Sequence, residues 1–237
     1  MLSRFMFTFW LLMSLLFMGI VAVGGFMLLD NPAMMRLIPQ RLLSGVDSFP
    51  LMAVPFFILA GNIMNRGGIA LRLIEFAKVL GGRLPGALAH CNVIANMMFG
   101  SISGSAVASA AAVGGVMSPL QRKEGYDPAY STAVNVASCP TGLLIPPSST
   151  FIVYSLITNG TSVAALFVAG YIPGILMGVS LMVVAGIIAK RRGYPVAPRP
   201  SMRETMEKAL NAMLPLGLIV IVMGGIVGGI FTATEAS

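Results

Sequence analysis

The sequence predicts an all-α protein that crosses a lipid bilayer several times. Three observations carry that prediction. Charge is scarce: 10% of the 237 residues are Asp, Glu, Lys or Arg and 57% are hydrophobic, where soluble domains carry about 25% charge. Charge is also segregated, because Phe5–Leu29, Leu84–Gln121 and Pro128–Ala189 contain none of the four charged residues. Finally, these apolar runs are continuous rather than alternating, the pattern of spanning helices and not of a barrel.

The net charge of +7 does not point to nucleic acid. The basic residues sit in short clusters between apolar runs, as in the cytoplasmic loops of membrane proteins. Cys91 and Cys139 lie inside apolar runs and read as buried free thiols. His90 is the single histidine, so no His/Cys ligand set exists. The stretch Arg4–Gly25 is too long for a signal-peptide core and lacks an A-x-A site, so it reads as a retained helix.

In chain order, Phe5–Leu29 is one crossing, roughly 37 Å long at 1.5 Å per residue, stopped by Asp30-Asn31-Pro32. The loop that follows carries Asp30, Arg36, Arg41 and Asp47, whose charges cancel. Phe49–Met64 is a shorter apolar helix with Pro50 and Pro55 in its early part. In Ile69–Leu80, the residues Ile69, Leu73, Phe76, Ala77 and Leu80 share one stripe, which suits a helix lying in the membrane interface. A loop helix packed on the bundle is the alternative.

Leu84–Gln121 is too long for one helix, and its middle reads Gly100-Ser101-Ile102-Ser103-Gly104-Ser105. Glycine and serine at this density disfavour an unbroken helix. The segment is expected to be a re-entrant hairpin with its tip at 100–105, and bare backbone at that depth must be buried in protein or line a wet cavity. Pro128–Ala189 breaks at Cys139-Pro140-Thr141-Gly142 and again at Pro146-Pro147-Ser148-Ser149. Val163–Ala189 and Ala209–Phe231 are further crossings, separated by a charged linker, Gly193–Lys208. Placing Lys190-Arg191-Arg192 in the cytoplasm puts Arg122-Lys123, Arg66–Arg83 and Arg4 on the same side only if Leu84–Gln121 is a hairpin.

The Gly100–Ser105 tip and the Pro140–Ser149 break carry the chemistry. Interrupted helices expose N–H groups at one end and C=O groups at the other, each end equivalent to about half a unit charge. Such ends bind small ions and substrate anions in transporters. Ser101, Ser103, Ser105, Thr141, Ser148 and Ser149 add hydroxyl oxygens that suit a hard cation, and Asn96 adds an amide one turn before the tip. The same Gly100-x-x-x-Gly104 and Ser101-x-x-x-Ser105 spacings also serve close helix packing. No G-x-x-x-x-G-K-[ST] loop, intramembrane carboxylate pair or Ser/His/Asp set is present, so an enzyme is not expected. His90 reads as a packed residue, and Asn159-Gly160-Thr161 as a loop that happens to match a sequon.

At these residues the chain resembles the large membrane subunit of tripartite ATP-independent periplasmic (TRAP) transporters. The resemblance runs through Gln40–Pro50, Val54–Gly61, Ser103–Ala108, Lys123–Pro128, Ile145–Ser148, Ala169–Gly174 and Gly229–Ala236. It implies Na+-coupled uptake of an organic acid through a bacterial inner membrane. A periplasmic binding protein would deliver the substrate, and a small membrane subunit would brace the large one. It also implies an elevator with inverted repeats, of which this chain would be the first. Residues 1–83 would then be scaffold and interfacial arm, 84–126 the hairpin, 127–157 the broken helix, and 158–237 spanning helices and a linker toward a second repeat. A Na+ site is expected from Ser101, Ser103, Gly104, Ser105, Thr141, Gly142, Pro146 and Ser148, and substrate contacts from Asn96, Ser103, Pro147 and Ser149. Ser109 departs from the family, where many members have Asp. The segment Ser138–Ser148 is more like sialic-acid members than dicarboxylate ones. Because the chain ends inside a block that leads to the second half, it is expected to be half of a transporter. The competing readings are a channel or non-transporting scaffold and, with no residues to support it, an intramembrane enzyme.

Overall fold

The structure is a computed structural model describing residues 67–82, 84–158, 161–196 and 201–232, with Glu235 and scattered helical positions between 13 and 25 and between 55 and 63. The chain divides into two compact units, Met1–Ser48 and Phe49–Ser237. In the first, the described positions from Met13 to Gly25 are helical. The Asp30–Asp47 loop, Pro50, the Asn65-Arg66 stop and Asn159-Gly160 of the sequon lie outside the described residues.

In the second unit the elements with defined bounds are α1 (Ile69–Gly81), α2 (Ala87–Ser103), α3 (Ala106–Lys123), α4 (Pro128–Ser138), α5 (Thr141–Leu144), α6 (Ser149–Ile157), α7 (Val163–Arg191) and α8 (Met202–Val227). No strand occurs among the described residues. By length and apolar composition α7 and α8 can each cross a bilayer, and α4–α5 with α6 passes the same test as one span bent by 54°.

Helices α2 and α3 form an antiparallel pair. The Gln121 side-chain amide donates to the Leu88 carbonyl at one end of the pair, and the Ser109 hydroxyl donates to Asn96 in the middle. The turn between them is shorter than the six residues expected. Gly100, Ser101, Ile102 and Ser103 remain helical, and only Gly104, with φ 60, and the extended Ser105 leave the helix. Its N–H caps the Gly100 carbonyl at 2.8 Å, a left-handed C-cap that glycine adopts without strain. Ser105 then caps α3 by accepting from the Ala108 N–H. The expected serine- and glycine-rich tip is therefore one glycine and one capping serine. The glycine before it is spent on packing instead.

The broken helix starts where Asp127 caps α4 and Pro128 takes the first helical position. The main interruption is Ile145–Ser148, with a cis bond between Pro146 and Pro147. The Cys139-Pro140 break is slight, because both residues keep right-handed helical angles. Both cysteines are buried free thiols.

Helix α7 packs antiparallel to α2 and to the broken helix through small residues. A Cβ at Gly178 would meet the Met97 side chain, one at Gly174 would meet Ile145, and one at Gly170 would meet the Leu144 carbonyl and Phe151. At the other end, the Tyr130 hydroxyl donates to the Ala185 carbonyl at 2.8 Å, Arg192 pairs with Asp127 at 2.7 Å, and Tyr126 stacks on Tyr194 with centroids 4.3 Å apart. The Arg122-Lys123 and Lys190–Arg192 clusters thus share one end of the bundle. The break meets α7 at Gly174, roughly 17 Å from the Val163 end and roughly 26 Å from the Arg191 end at 1.5 Å per residue.

Two expectations are corrected here. The buried face of α1 is Ala70, Leu73, Ile74, Ala77 and Gly81, while Leu80 is exposed and Phe76 half-buried. The face turned inward is the one that permits the closest approach: a Cβ at Gly81 would lie 2.9 Å from the Cys91 nitrogen. The second correction concerns the linker Gly193–Lys208, whose second half is helix. The Ser201 hydroxyl accepts from the Glu204 N–H at 3.1 Å, a capping arrangement that starts α8 at Met202. Lys208 of α8 bridges Glu204 at 2.6 Å and Glu75 of α1 at 3.2 Å. Partial burial alone would raise the Glu75 carboxyl, but Lys78 and Lys208 outweigh it and hold it below its ordinary value.

Candidate functional site

One face of α2 meets the broken helix in three layers, four residues apart. In the lowest, Asn96 faces Asn135 and Ser138. In the next, Gly100 faces Gly142 so closely that a Cβ on either would strike the other's Cα. In the uppermost, the hairpin turn meets the break: the Ser149 hydroxyl donates to the Gly104 carbonyl at 3.0 Å. A Cβ at Gly104 would sit 3.3 Å from the Ser149 nitrogen and 3.7 Å from the Pro147 carbonyl oxygen. Turn and break, 45 residues apart in sequence, are thus in direct contact.

The uppermost layer is polar. Ser148 is 1% exposed, and its hydroxyl has no hydrogen-bond partner among the described residues. An unmet buried hydroxyl is costly. Ser103 shares a bent contact with Ser105, its hydroxyl 3.4 Å from both the Ser105 N–H and carbonyl. Helix α2 ends here with its free carbonyls, the negative end of its dipole, while α3 and α6 begin here with free N–H groups. Such a junction offers neutral oxygens to a cation and N–H groups to an anion.

The expected site residues therefore separate by layer. The structure brings Ser103, Gly104, Ser105, Pro147, Ser148 and Ser149 together, with Pro146 in the same break. Gly142 lies one layer below, under Gly100. Thr141 donates to the Ser138 carbonyl at 2.6 Å and is fully buried. Ser101 remains in α2 and donates to the Met98 carbonyl. Asn96 is two turns, roughly 12 Å, from Gly104 along α2 and is 0% exposed. The structure does not bring it to Ser149.

What Asn96 does join is a buried network that the sequence reading missed. Its amide nitrogen donates to the Asn135 side-chain oxygen at 3.0 Å and to the Ser138 hydroxyl at 2.7 Å, and its oxygen accepts from Ser109 at 2.7 Å. Asn92 donates to the same Asn135 oxygen at 3.3 Å. Ser109 is thus a neutral partner of Asn96. Asn92 and Asn96, four apart, and Asn135 and Ser138, three apart, were the available signal: polar side chains paired on one helical face inside uncharged runs. His90 is packed, with its ring nitrogen 3.1 Å from the Pro85 carbonyl oxygen. Among the described residues no three His, Cys, Asp or Glu side chains gather.

Fold and site together define a membrane protein organised around a helical hairpin whose turn is seated on a broken helix. Comparison with known proteins narrows that class. The Tripartite ATP-independent periplasmic transporter, DctM component, matches residues 1–237, and the chain belongs to this family. It is 61% identical to the Uncharacterized protein YgiK of Salmonella typhimurium over 88% of this chain and 48% of that one. The Sialic acid TRAP transporter large permease protein SiaM of Vibrio cholerae is 41% identical over 94% of this chain and 51% of its own. The C4-dicarboxylate TRAP transporter large permease protein DctM of Pseudomonas aeruginosa is 41% identical over 89% and 49%. The chain spans about half the length of the curated relatives it matches.

Proposed function

We propose that this chain is the first repeat of a Na+-coupled transporter for an organic acid in a bacterial inner membrane. Its partners would be a small membrane subunit and a periplasmic substrate-binding protein. The observation that carries the reading is the seating of the Gly104 turn on the Pro146–Ser149 break, with the Ser148 hydroxyl buried there and unpaired. A Na+ ion is cargo in this scheme. Ser103, Ser105, Ser148 and the carbonyls ending α2 are the neutral oxygens to meet it, with Thr141, Gly142 and Ser101 supporting from below. Ser149 and Pro147 line the substrate side of the same junction.

The geometry supports re-entry. Both ends of the α2–α3 pair lie at the basic end of the bundle, and its turn meets the break at a level inside the length of α7. Hairpin and broken helix, 84–126 and 127–157, would move together as an elevator against scaffold helices, with a second, inverted repeat completing the substrate site. Sialic-acid and C4-dicarboxylate relatives are equally identical to the chain at 41%, so overall identity does not choose the acid. The lean of Ser138–Ser148 toward sialic acid remains the reading of that segment alone.

The scaffold alternative has one observation in its favour, the close packing of Gly100 on Gly142. That accounts for Gly100 but not for Gly104, which turns, nor for the unpaired Ser148. Cysteine accessibility separates the two readings. In a full-length protein without native cysteines, Ser103→Cys and Ser149→Cys should react with a water-borne thiol reagent and be protected by Na+. Thiols that are unreactive in every condition would favour the scaffold.

A further inference from the structure

We infer that Asn135 is a positioning residue: its side-chain amide keys the hairpin to the broken helix and so sets the seat between the Gly104 turn and the Ser148-Ser149 break. The Asn135 nitrogen donates to the Ala110 carbonyl of α3 at 2.9 Å. That bond fixes which way round the amide lies, and its oxygen must then face α2. There it accepts from both Asn92 and Asn96. With its nitrogen committed, Asn96 turns its own oxygen to Ser109 of α3, and the remaining reach of the nitrogen goes to Ser138 of α4.

One amide therefore dictates the orientation of two others and contacts both arms of the hairpin from the broken helix. The fit is tight as well as polar: a Cβ at Gly114 of α3 would lie 2.5 Å from the Asn135 nitrogen. Asn135, Gly142 and Ser149 are successive contacts of one parallel alignment between α2 and the broken helix. Fixing the first fixes the register in which the third meets Gly104. An apolar side chain at 135 would leave the Ala110 carbonyl and two buried amides without their partner, and the register would no longer be specified by hydrogen bonds.

A neutral acid can replace the amide where a carboxylate cannot. Protonated Asp donates one bond and accepts at its other oxygen, matching both of the roles of Asn135, whereas ionised Asp only accepts and would face the Ala110 carbonyl with no donor. The titratable groups on the packed elements are His90 and Cys91 on α2, Arg122 and Lys123 at the far end of α3, Tyr130 on α4 with Asp127 and Cys139 capping it, and Tyr171, Lys190 and Arg191 on α7. Helix α3 carries none between Ala106 and Gln121.

The test compares wild type, Asn135→Leu and Asn135→Asp in the full-length protein in lipid nanodiscs. Backbone hydrogen exchange is read at residues 100–105 and 145–149, always as the ratio to wild type at the same pH. Asn135→Leu should accelerate exchange in both segments together by about tenfold, the scale of unpairing a buried amide, at every pH. Asn135→Asp should match wild type at acidic pH and depart from it as pH rises. Unchanged exchange in Asn135→Leu, or a ratio for Asn135→Asp that is flat with pH, overturns the proposal. Should Asn135→Leu not fold, Asn135→Asp decides alone. The inference rests on the transport reading only for its consequence, a raised Na+ requirement for uptake. Exchange involves no Na+, so wild-type uptake that ignores Na+ would count against the coupling and leave the positioning role to be judged separately.

Discussion

Gly100 and Gly142 set how closely the hairpin can lie on the broken helix. Neither has room for a single methyl group, because the obstacle is the backbone of the other helix and not a side chain that could rotate away. Gly100→Ala or Gly142→Ala must part α2 from α5 and lift Gly104 from Ser149. Overpacking of this kind costs about 1–3 kcal/mol. It should appear as a lower thermal midpoint of the purified full-length protein together with reduced uptake. A midpoint equal to wild type would show that the helices do not approach this closely. Ser109 supplies a second residue-level lesson. Its hydroxyl donates to the Asn96 side-chain oxygen, so a neutral group at this position has a buried partner.

At the level of elements, the capping residues decide where helices begin. Ser201→Ala removes the acceptor for the Glu204 N–H and should cost about 1 kcal/mol, read as faster exchange confined to the first turn of α8. The Glu75–Lys208 pair ties α8 to α1, yet both side chains are partly solvated, so a double-mutant cycle should return less than about 1 kcal/mol and shrink with salt. The Glu75 carboxyl is held below its ordinary value in the folded state. Its coupling is therefore present at neutral pH and is lost as pH falls through that lowered value. A coupling that instead weakens as pH rises from neutral toward 9 would contradict this arrangement.

These same elements show what was legible in the chain. The paired prolines at 146 and 147 announce the break, because they cannot sit inside a helix. Gly104 was legible as part of a turn, but the extent of that turn was not, since Gly100 resists helix by propensity and is kept in it by packing against Gly142. The start of α8 was hidden by reading Arg203, Glu204 and Lys208 as linker charge, although Ser201 and Glu204 have capping spacing. The apolar stripe of α1 was legible, but the turning of Ala70, Ala77 and Gly81 toward the bundle was not, because it depends on close approach to α2. The Asn92–Asn96–Asn135 network joins two segments about 40 residues apart, and its pairing depends on a register that no local pattern states.

On the largest scale, the Phe49–Ser237 unit holds the Arg122-Lys123 and Lys190–Arg192 clusters at one end of a bundle and a polar junction between a hairpin turn and a broken helix within it. The family places that architecture among transporter permeases, and the junction's neutral oxygens, with Ser148 buried and unpaired, make Na+ the ion proposed to bind there. The measurement that bears on this most directly is uptake into proteoliposomes holding the full-length protein with its small subunit and loaded binding protein. Uptake is measured with an inward Na+ gradient and with K+ in its place. The account predicts uptake that requires Na+, with Ser148→Ala shifting the half-maximal Na+ concentration upward. Equal uptake in Na+ and K+, or a Ser148→Ala protein with an unchanged Na+ requirement, would contradict it.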